Sequence, residues 1–389
     1  MDEFPTRARA ALAAQGVSLR GAARILNYDV SYLSRVLNGK QRPSLSLAKG
    51  LDKLLGTQGE LTEAAARERR TAGARSSEHQ PVLRQEHAGD FAHTIREMSR
   101  HLIALDNKMN GLPIAETAAS SYKSVHRRIG EGIHTQREER DIQSAAAELA
   151  EISGWALFNA GRFDAAWRFN QEALFLSNLC GDRSIELISL QNQAMLSGWV
   201  GRSREELAIS RSVLDRGPLV PTVEAIFRAR EAQGLAGSGL GSEAQRTFGR
   251  ARSLLQEGAP EDGPHWAWWI TEQEIDRQQG RALHESGESR QAIPILERAL
   301  TPAGTAEVGY RNVAAVRLLA CLLKEKSWQA AEEEGTRLIH AINEMSSVVS
   351  LNLLSAVARE GDELPGAPMG VRDVLHHIAD ALKEDPYAF

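Results

Sequence analysis

The chain has 389 residues and a net charge of −5, with 42% apolar, 25% charged and only 5% aromatic side chains. That length exceeds one ordinary domain, and abundant Ala, Leu, Arg and Glu with few aromatics favour helices over sheets, so an all-α chain of two or more domains is expected. No charged start followed by an apolar stretch reads as a secretory signal, and no apolar run is long enough to cross a bilayer, so a cytoplasmic protein without membrane contact is expected. Cys180 and Cys321 stand alone without metal-ligand spacing, which favours two reduced thiols over a disulfide or a metal site.

In chain order, Thr6 to Gln15 reads as a helix with Ala8, Ala11 and Leu12 on one side, and Gly16-Val17 as a turn. Ser18 is placed as the N-cap of a helix reaching Leu26, Asn27 to Asp29 form a second turn, and another helix runs from about Val30 to Leu37. Ala22, Ala23 and Leu26 then face Leu33, Val36 and Leu37 across one apolar seam, which leaves Ser31, Tyr32, Ser34 and Arg35 pointing outward. Asn38-Gly39-Lys40-Gln41-Arg42 stops this helix and adds two cations. Leu45, Leu47, Ala48, Leu51, Leu54 and Leu55 make a further stripe ended by Gly56. These are the parts of a helix-turn-helix bundle over residues 1–60. Residues 1–75 carry 13 Lys and Arg against 7 Asp and Glu, a charge of +6, which leaves −11 for the rest. A cationic module on an acidic body suits phosphate contact by one part of the molecule.

The stretch SLRGAARILNYDVSYLSRVLNGKQRPS resembles the Cro/C1-type, or XRE-type, repressor domain, and departs from it at Asn27-Tyr28, where that family often carries a small Gly. The resemblance implies double-stranded DNA as a partner, with Val30, Ser31 and Arg35 at base-contacting positions and Tyr32 and Ser34 beside them. Ser18, Arg20, Lys40 and Arg42 would contact phosphates and set register. Among these, Arg35 has the side chain suited to a bidentate contact with guanine O6 and N7.

Residues 61–89 turn polar and read as a linker, helical at its start. Within 90–140, Phe91, Ile95, Met98, Leu102, Ile103 and Leu105 recur at helical spacing. Asn110-Gly111-Leu112-Pro113 breaks the pattern, and a second helix runs from Ile114 to Ile129. An antiparallel hairpin is expected, serving either as a dimer contact or as packing for the next segment.

Residues 141–389 are repetitive. Gly161, Ala166 and Ala173 share gaps of five and seven with Gly239, Ala244 and Ala251, and with Gly287, Ala292 and Ala299. The segment GRFDAAWRFNQEAL is the clearest copy. Weaker copies start near Gly201 and Lys326, and a last one is expected to turn at Gly361. The pattern resembles tetratricopeptide repeats, which implies an α-solenoid whose inner face is lined by the first helix of each pair. Projecting the repeat phase puts Trp155, Phe158, Asn159, Gln191, Asn192, Met195, Trp199, Arg230 and Gln233 near that face, followed by Arg277, Gln278, Arg281, His284, Arg317, Lys324, Asn352 and Arg359. An inner wall so rich in arginine suggests a signalling peptide with a free carboxylate, or a small anionic molecule. Arginines at these phases also have Glu274 and Glu285 within reach as internal partners, so the alternative of a merely charged wall stays open. His265-Trp266-Ala267-Trp268-Trp269 cannot place all its indoles on one side of a helix, and is expected either in the core, at a subunit contact or at a cleft rim. The C-terminal stretch from Val371 reads as a capping helix.

No phosphate-binding loop, dinucleotide fingerprint, zinc-protease motif or nucleophile elbow is present, so an enzyme is not expected, and neither is a cofactor. The complete layout resembles the peptide-sensing quorum regulators of Gram-positive bacteria and actinobacterial regulators of the same arrangement. The resemblance implies a homodimer on an inverted repeat, with the repeat domain both dimerising and receiving a signal. The alternative is a repeat scaffold that binds other proteins, with DNA binding secondary.

Overall fold

The structure, a computed structural model, describes residues 3–26, 28, 30–40, 43–67, 88–108, 114–132, 136–257, 263–301, 308–345 and 347–383. It is all-α, and the chain divides into two units, Met1–Gln85 and Glu86–Phe389.

The first unit contains α1 (Glu3–Ala14), α2 (Leu19–Leu26), α3 (Val30–Leu37), α4 (Leu45–Leu55) and a fifth helix, α5, over 60–67. Ser18 Oγ accepts from the Gly21 amide at 3.1 Å and so caps α2, satisfying a donor that has no partner within the helix. Helix α3 ends in a Schellman turn. Gly39 takes φ 69°, the Lys40 amide donates to the Arg35 carbonyl at 2.9 Å and the Gly39 amide donates to that of Val36 at 3.1 Å. Phe4, Ala8, Leu12, Ala22, Ala23, Leu33, Val36, Leu37, Leu47, Ala48, Leu51 and Leu55 form the core. Leu61, Ala64 and Ala65, which composition assigns to a linker, are buried in the same core. What holds α5 there is Asp52 of α4, whose carboxylate accepts from the amides of Leu61 at 3.0 Å and Thr62 at 2.9 Å. Burial works to raise the Asp52 carboxyl, and the hydrogen bonds from Thr57, Thr62 and Leu61 outweigh it, so the group titrates below the ordinary aspartate range. The later part of the expected linker, 68–87, lies outside the described residues, as do Asn27, Asp29, Gln41 and Arg42.

The second unit starts with α6 (Ala88–Lys108) and α7 (Ala115–Gly130). Both helices of the expected hairpin pack against α8, which is the role of packing for the next segment. The break expected at 110–113 lies outside the described residues. Six helix pairs follow in sequence: α8 (Gln136–Asn159) with α9 (Phe163–Cys180), α10 (Arg183–Trp199) with α11 (Ser203–Leu214), α12 (Pro221–Gly237) with α13 (Gly241–Glu257), α14 (Glu272–Glu285) with α15 (Ser289–Ala299), α16 (Val308–Lys324) with α17 (Trp328–Ala341), and α18 (Val348–Asp362) with α19 (Met369–Ala381). The first helices of successive pairs touch in the order α8, α10, α12, α14, α16, α18. Helix α18 also meets α8, with Val349 buried in the cluster that holds Ile142, Leu149 and Phe158, and Ser347 Oγ 3.5 Å from Asn159 Oδ1. The inner helices therefore close on themselves.

The turns inside the pairs at Gly161, Gly201, Gly239 and Gly287 all have positive φ, and Lys326 takes φ 55° at the equivalent place. In the last pair the turn glycine is Gly366, at φ 85°, and not Gly361. Gly361 is helical, and a Cβ there would stand 2.8 Å from Leu323 and 2.9 Å from Leu375, so its smallness serves packing and not a turn. The spaced alanines Ala166, Ala173, Ala244, Ala251, Ala292 and Ala299 are all buried, which lets paired helices approach closely.

Candidate functional site

On the first unit, the α2 and α3 seam buries Ala22, Ala23, Leu33, Val36 and Leu37, with Leu26 half-buried. The seam fixes what lies outside. Val30 and Arg35 are exposed and Ser34 is half-buried on α3. Ser18 and Arg20 are exposed at the start of α2, and Lys40 is exposed beyond the end of α3. The backbone of Ser31 and Tyr32 belongs to the first turn of α3. Arg42 lies outside the described residues. Exposed Lys and Arg at the two ends of a short, capped helix pair suit phosphate contacts.

The second unit holds a cavity of about 330 Å³ on its inner face. All six inner helices contribute to it: Trp155 and Asn159 from α8, Asn192 and Trp199 from α10, Arg230 from α12, Arg277 and Arg281 from α14, Arg317 from α16 and Ser350 from α18. Phe158, Gln191, Met195 and Gln278 line it too. Its aromatic wall is a connected set. The Phe158 ring stacks on Trp155 at 5.6 Å between centroids and meets Trp199 edge-on at 5.5 Å.

The cationic side gathers on Trp199. The Arg281 and Arg317 guanidinium carbons lie 5.1 Å and 5.2 Å from the centre of its indole. Arg281 Nη2 donates to the Gly198 carbonyl at 2.9 Å, at the C-terminal end of α10 where helical carbonyls lack internal partners, and Arg281 Nε donates to Glu285 Oε1 at 2.7 Å. Arg317 Nη2 is 3.7 Å from the same Glu285 oxygen. Burial, and then the neighbouring Arg281 charge, pull the Arg317 guanidinium down to about 9. On the same wall Glu274 accepts from Arg277 Nε at 3.0 Å and from Gln278 Nε2 at 2.7 Å. Two further carboxyls lie nearby, Glu151 half-buried and Glu206 buried. Glu151 accepts from Asn192 Nδ2 at 2.6 Å, and Glu206 lies 4.0 Å from Arg230, beyond hydrogen-bond reach. Burial pushes each up to about 7. Asp106, from α6, is also raised by burial against an opposing hydrogen bond from Trp155.

Five residues that the repeat phase put on this face do not line the cavity. Gln233 is buried between α12 and α14, where its Nε2 donates to the Gln278 carbonyl. His284 turns toward α16, its Nδ1 3.3 Å from Cys321 Sγ. Lys324 is exposed in the last turn of α16, and Asn352 is exposed on α18, whose contribution comes from its first turn. Arg359 is exposed as well. Ile103, Asp106, Ile114, Asn312, Val313 and Ser347 to Ser350 line the cavity without having been singled out, because nothing in the repeat phase shows that α6 and α18 come together. The tryptophan segment forms a short 3-10 helix, His265–Trp269. Trp266 is buried and its Nε1 donates to Ser184 Oγ at 3.0 Å, Trp268 is 52% exposed, and both line the cavity together with Trp269. The segment thus supplies both core and cavity wall.

Among the described residues no three His, Cys, Asp or Glu side chains gather as metal ligands, and no helix is long and apolar enough to cross a membrane. Residues 6–65 match the family model for the helix-turn-helix domain, a span that runs from α1 to α5. No curated protein matches the chain. The chain is therefore a helix-turn-helix domain followed by a long all-helical region, and the matched domain points to DNA as its partner.

Proposed function

We propose that this chain is a sequence-specific DNA-binding transcription regulator of XRE type, whose tetratricopeptide-like second unit receives a signal in the inner-face cavity. The helix-turn-helix match at residues 6–65 carries the reading. Support comes from the capped α2 and α3 pair, the exposed Arg20, Arg35 and Lys40, and the +6 charge of residues 1–75. In this reading Val30, Ser31, Tyr32, Ser34 and Arg35 meet base edges, while Ser18, Arg20, Lys40 and Arg42 hold phosphates. The active species is a homodimer. Its two recognition helices enter successive major grooves, so the preferred site is an inverted repeat with half-sites roughly 10 base pairs, or a multiple of that, apart. Residues 86–389 dimerise and bind the effector, which shifts the dimer between geometries that fit and do not fit that spacing.

Selection of binding sequences from a random DNA pool with the full chain tests this. One enriched half-site in inverted repetition is expected, bound with strong salt dependence. Arg35→Ala is expected to cost about 1 to 3 kcal/mol at one position of that half-site and to relax the base preference there. An unenriched pool, with weak binding to any duplex, rejects the regulator and favours a protein-binding scaffold.

A further inference from the structure

We infer that the inner-face cavity takes a small molecule with a single carboxylate on an aromatic body, the carboxylate held by Arg317 and Arg281 beside Trp199. This rests on reading the cavity as the effector site. The key residue is Arg317. It is 7% exposed, lines the cavity, and makes no hydrogen bond among the described residues. Its nearest anion is Glu285 Oε1 at 3.7 Å, and that oxygen already accepts from Arg281 Nε at 2.7 Å. Two guanidiniums thus share one oxygen of one carboxylate, which is itself 47% exposed. A buried cation left so poorly paired is costly, and a planar guanidinium fork is the group that matches a second carboxylate in bidentate fashion.

The chemistry around this cation describes the rest of the molecule. Trp155, Phe158 and Trp199 present connected ring surfaces, with Met195 beside them. Gln191 also lines the cavity, is 1% exposed, and its Oε1 has no hydrogen-bond partner among the described residues, so it offers an acceptor to an N–H on the bound ring system. A single negative charge fits better than two, because Glu274 lines the cavity beside the arginines and Glu285 already pairs with Arg281. A volume of about 330 Å³ is at the small end for ligand sites, which suits one compact molecule and not an extended peptide.

Indole-3-acetate and its uncharged isostere indole-3-acetamide are the matched probes, titrated calorimetrically into the full chain. The acid is expected to bind at least about tenfold more tightly than the amide. Arg317→Met is expected to erase that advantage. Glu285→Gln removes the internal competitor for both arginines, so it is expected to tighten acid binding several-fold. This gain cannot come from a misfolded protein, and it decides the matter should Arg317→Met fail to fold. Equal affinity for acid and amide, no acid binding at about 5 mM, or loosened acid binding in Glu285→Gln overturns the inference. So does preferential binding of an apolar hexapeptide with a free C-terminus, which would assign the same arginines to a peptide carboxylate. DNA plays no part in these titrations, so a rejected regulator reading and a rejected carboxylate site are separately visible.

Discussion

Glu151 shows how a single half-buried residue carries a measurable property of the second unit. It lines the cavity, accepts from Asn192 and, with burial as the dominant cause and Glu148 adding to it, titrates near 7 in place of its ordinary 4.5. Between those values the folded protein keeps a proton that the unfolded chain has released. Stability therefore declines as pH rises through the window, and the contribution is gone above 7. The shift corresponds to about 3 kcal/mol at most. Glu206 acts in the same sense. Urea midpoints at pH 5 and pH 8 are expected to differ for the wild-type second unit in this direction, and Glu151→Gln is expected to narrow the gap. A gap that Glu151→Gln leaves unchanged would show that Glu151 is ionised in the fold.

At the scale of elements, small residues decide how closely each pair packs. Gly234 on α12 lies against α11, and a Cβ built there would stand 2.7 Å from both the Leu207 Cβ and the Leu207 backbone nitrogen. Backbone cannot swing aside as a side-chain tip can. Gly234→Ala is thus expected to destabilise the second unit by about 1 to 3 kcal/mol, read as a lower denaturant midpoint, although alanine favours helix in isolation. The spacing that was legible in the sequence belongs to this class of residue. Gly161, Gly239 and Gly287 recur with buried alanines because close approach and positive φ restrict composition strongly. Lys326 and Gly366 show the limit of such reading. One adopts positive φ without being glycine, and the other is displaced from the repeat, so the fifth and last turns of the pattern are weaker in the sequence than in space. The packing of α5 into the bundle core was hidden for another reason. Its hold on the bundle is Asp52, nine and ten residues earlier, and a polar side chain satisfying remote amides has no periodic signature. In the candidate site, residues on inner helices were legible through helical phase, whereas Asp106, Trp266 and Ser350 reach the cavity through tertiary contacts that phase does not encode.

For the molecule as a whole, the two units have separate cores, one confined to residues 4–65 and the others to residues beyond 90. Val349→Asp puts a carboxylate into the α8 and α18 contact, where Val349 is 4% exposed. A loss on the order of 3 kcal/mol or more is expected in the second unit alone. In calorimetry this appears as a lowered transition for residues 86–389 with that of the helix-turn-helix unit unmoved; a matching shift in both would show that the units unfold together.

That same α8 and α18 contact has a consequence during synthesis. Most neighbours in a helical repeat are close along the chain, so an array can form progressively from its N-terminal end. Here Asn159 and Ser347 are 188 residues apart, and the tryptophan of the central segment reaches back 82 residues to Ser184. While a ribosome is still adding α14 to α17, the apolar inner surface of α8 and α10 lacks its final covering, and at roughly 5 to 20 residues per second this interval lasts about 4 to 14 seconds. The nascent chain is most prone to wrong association during that time. The cavity, too, has its full set of walls only after residue 350 has emerged.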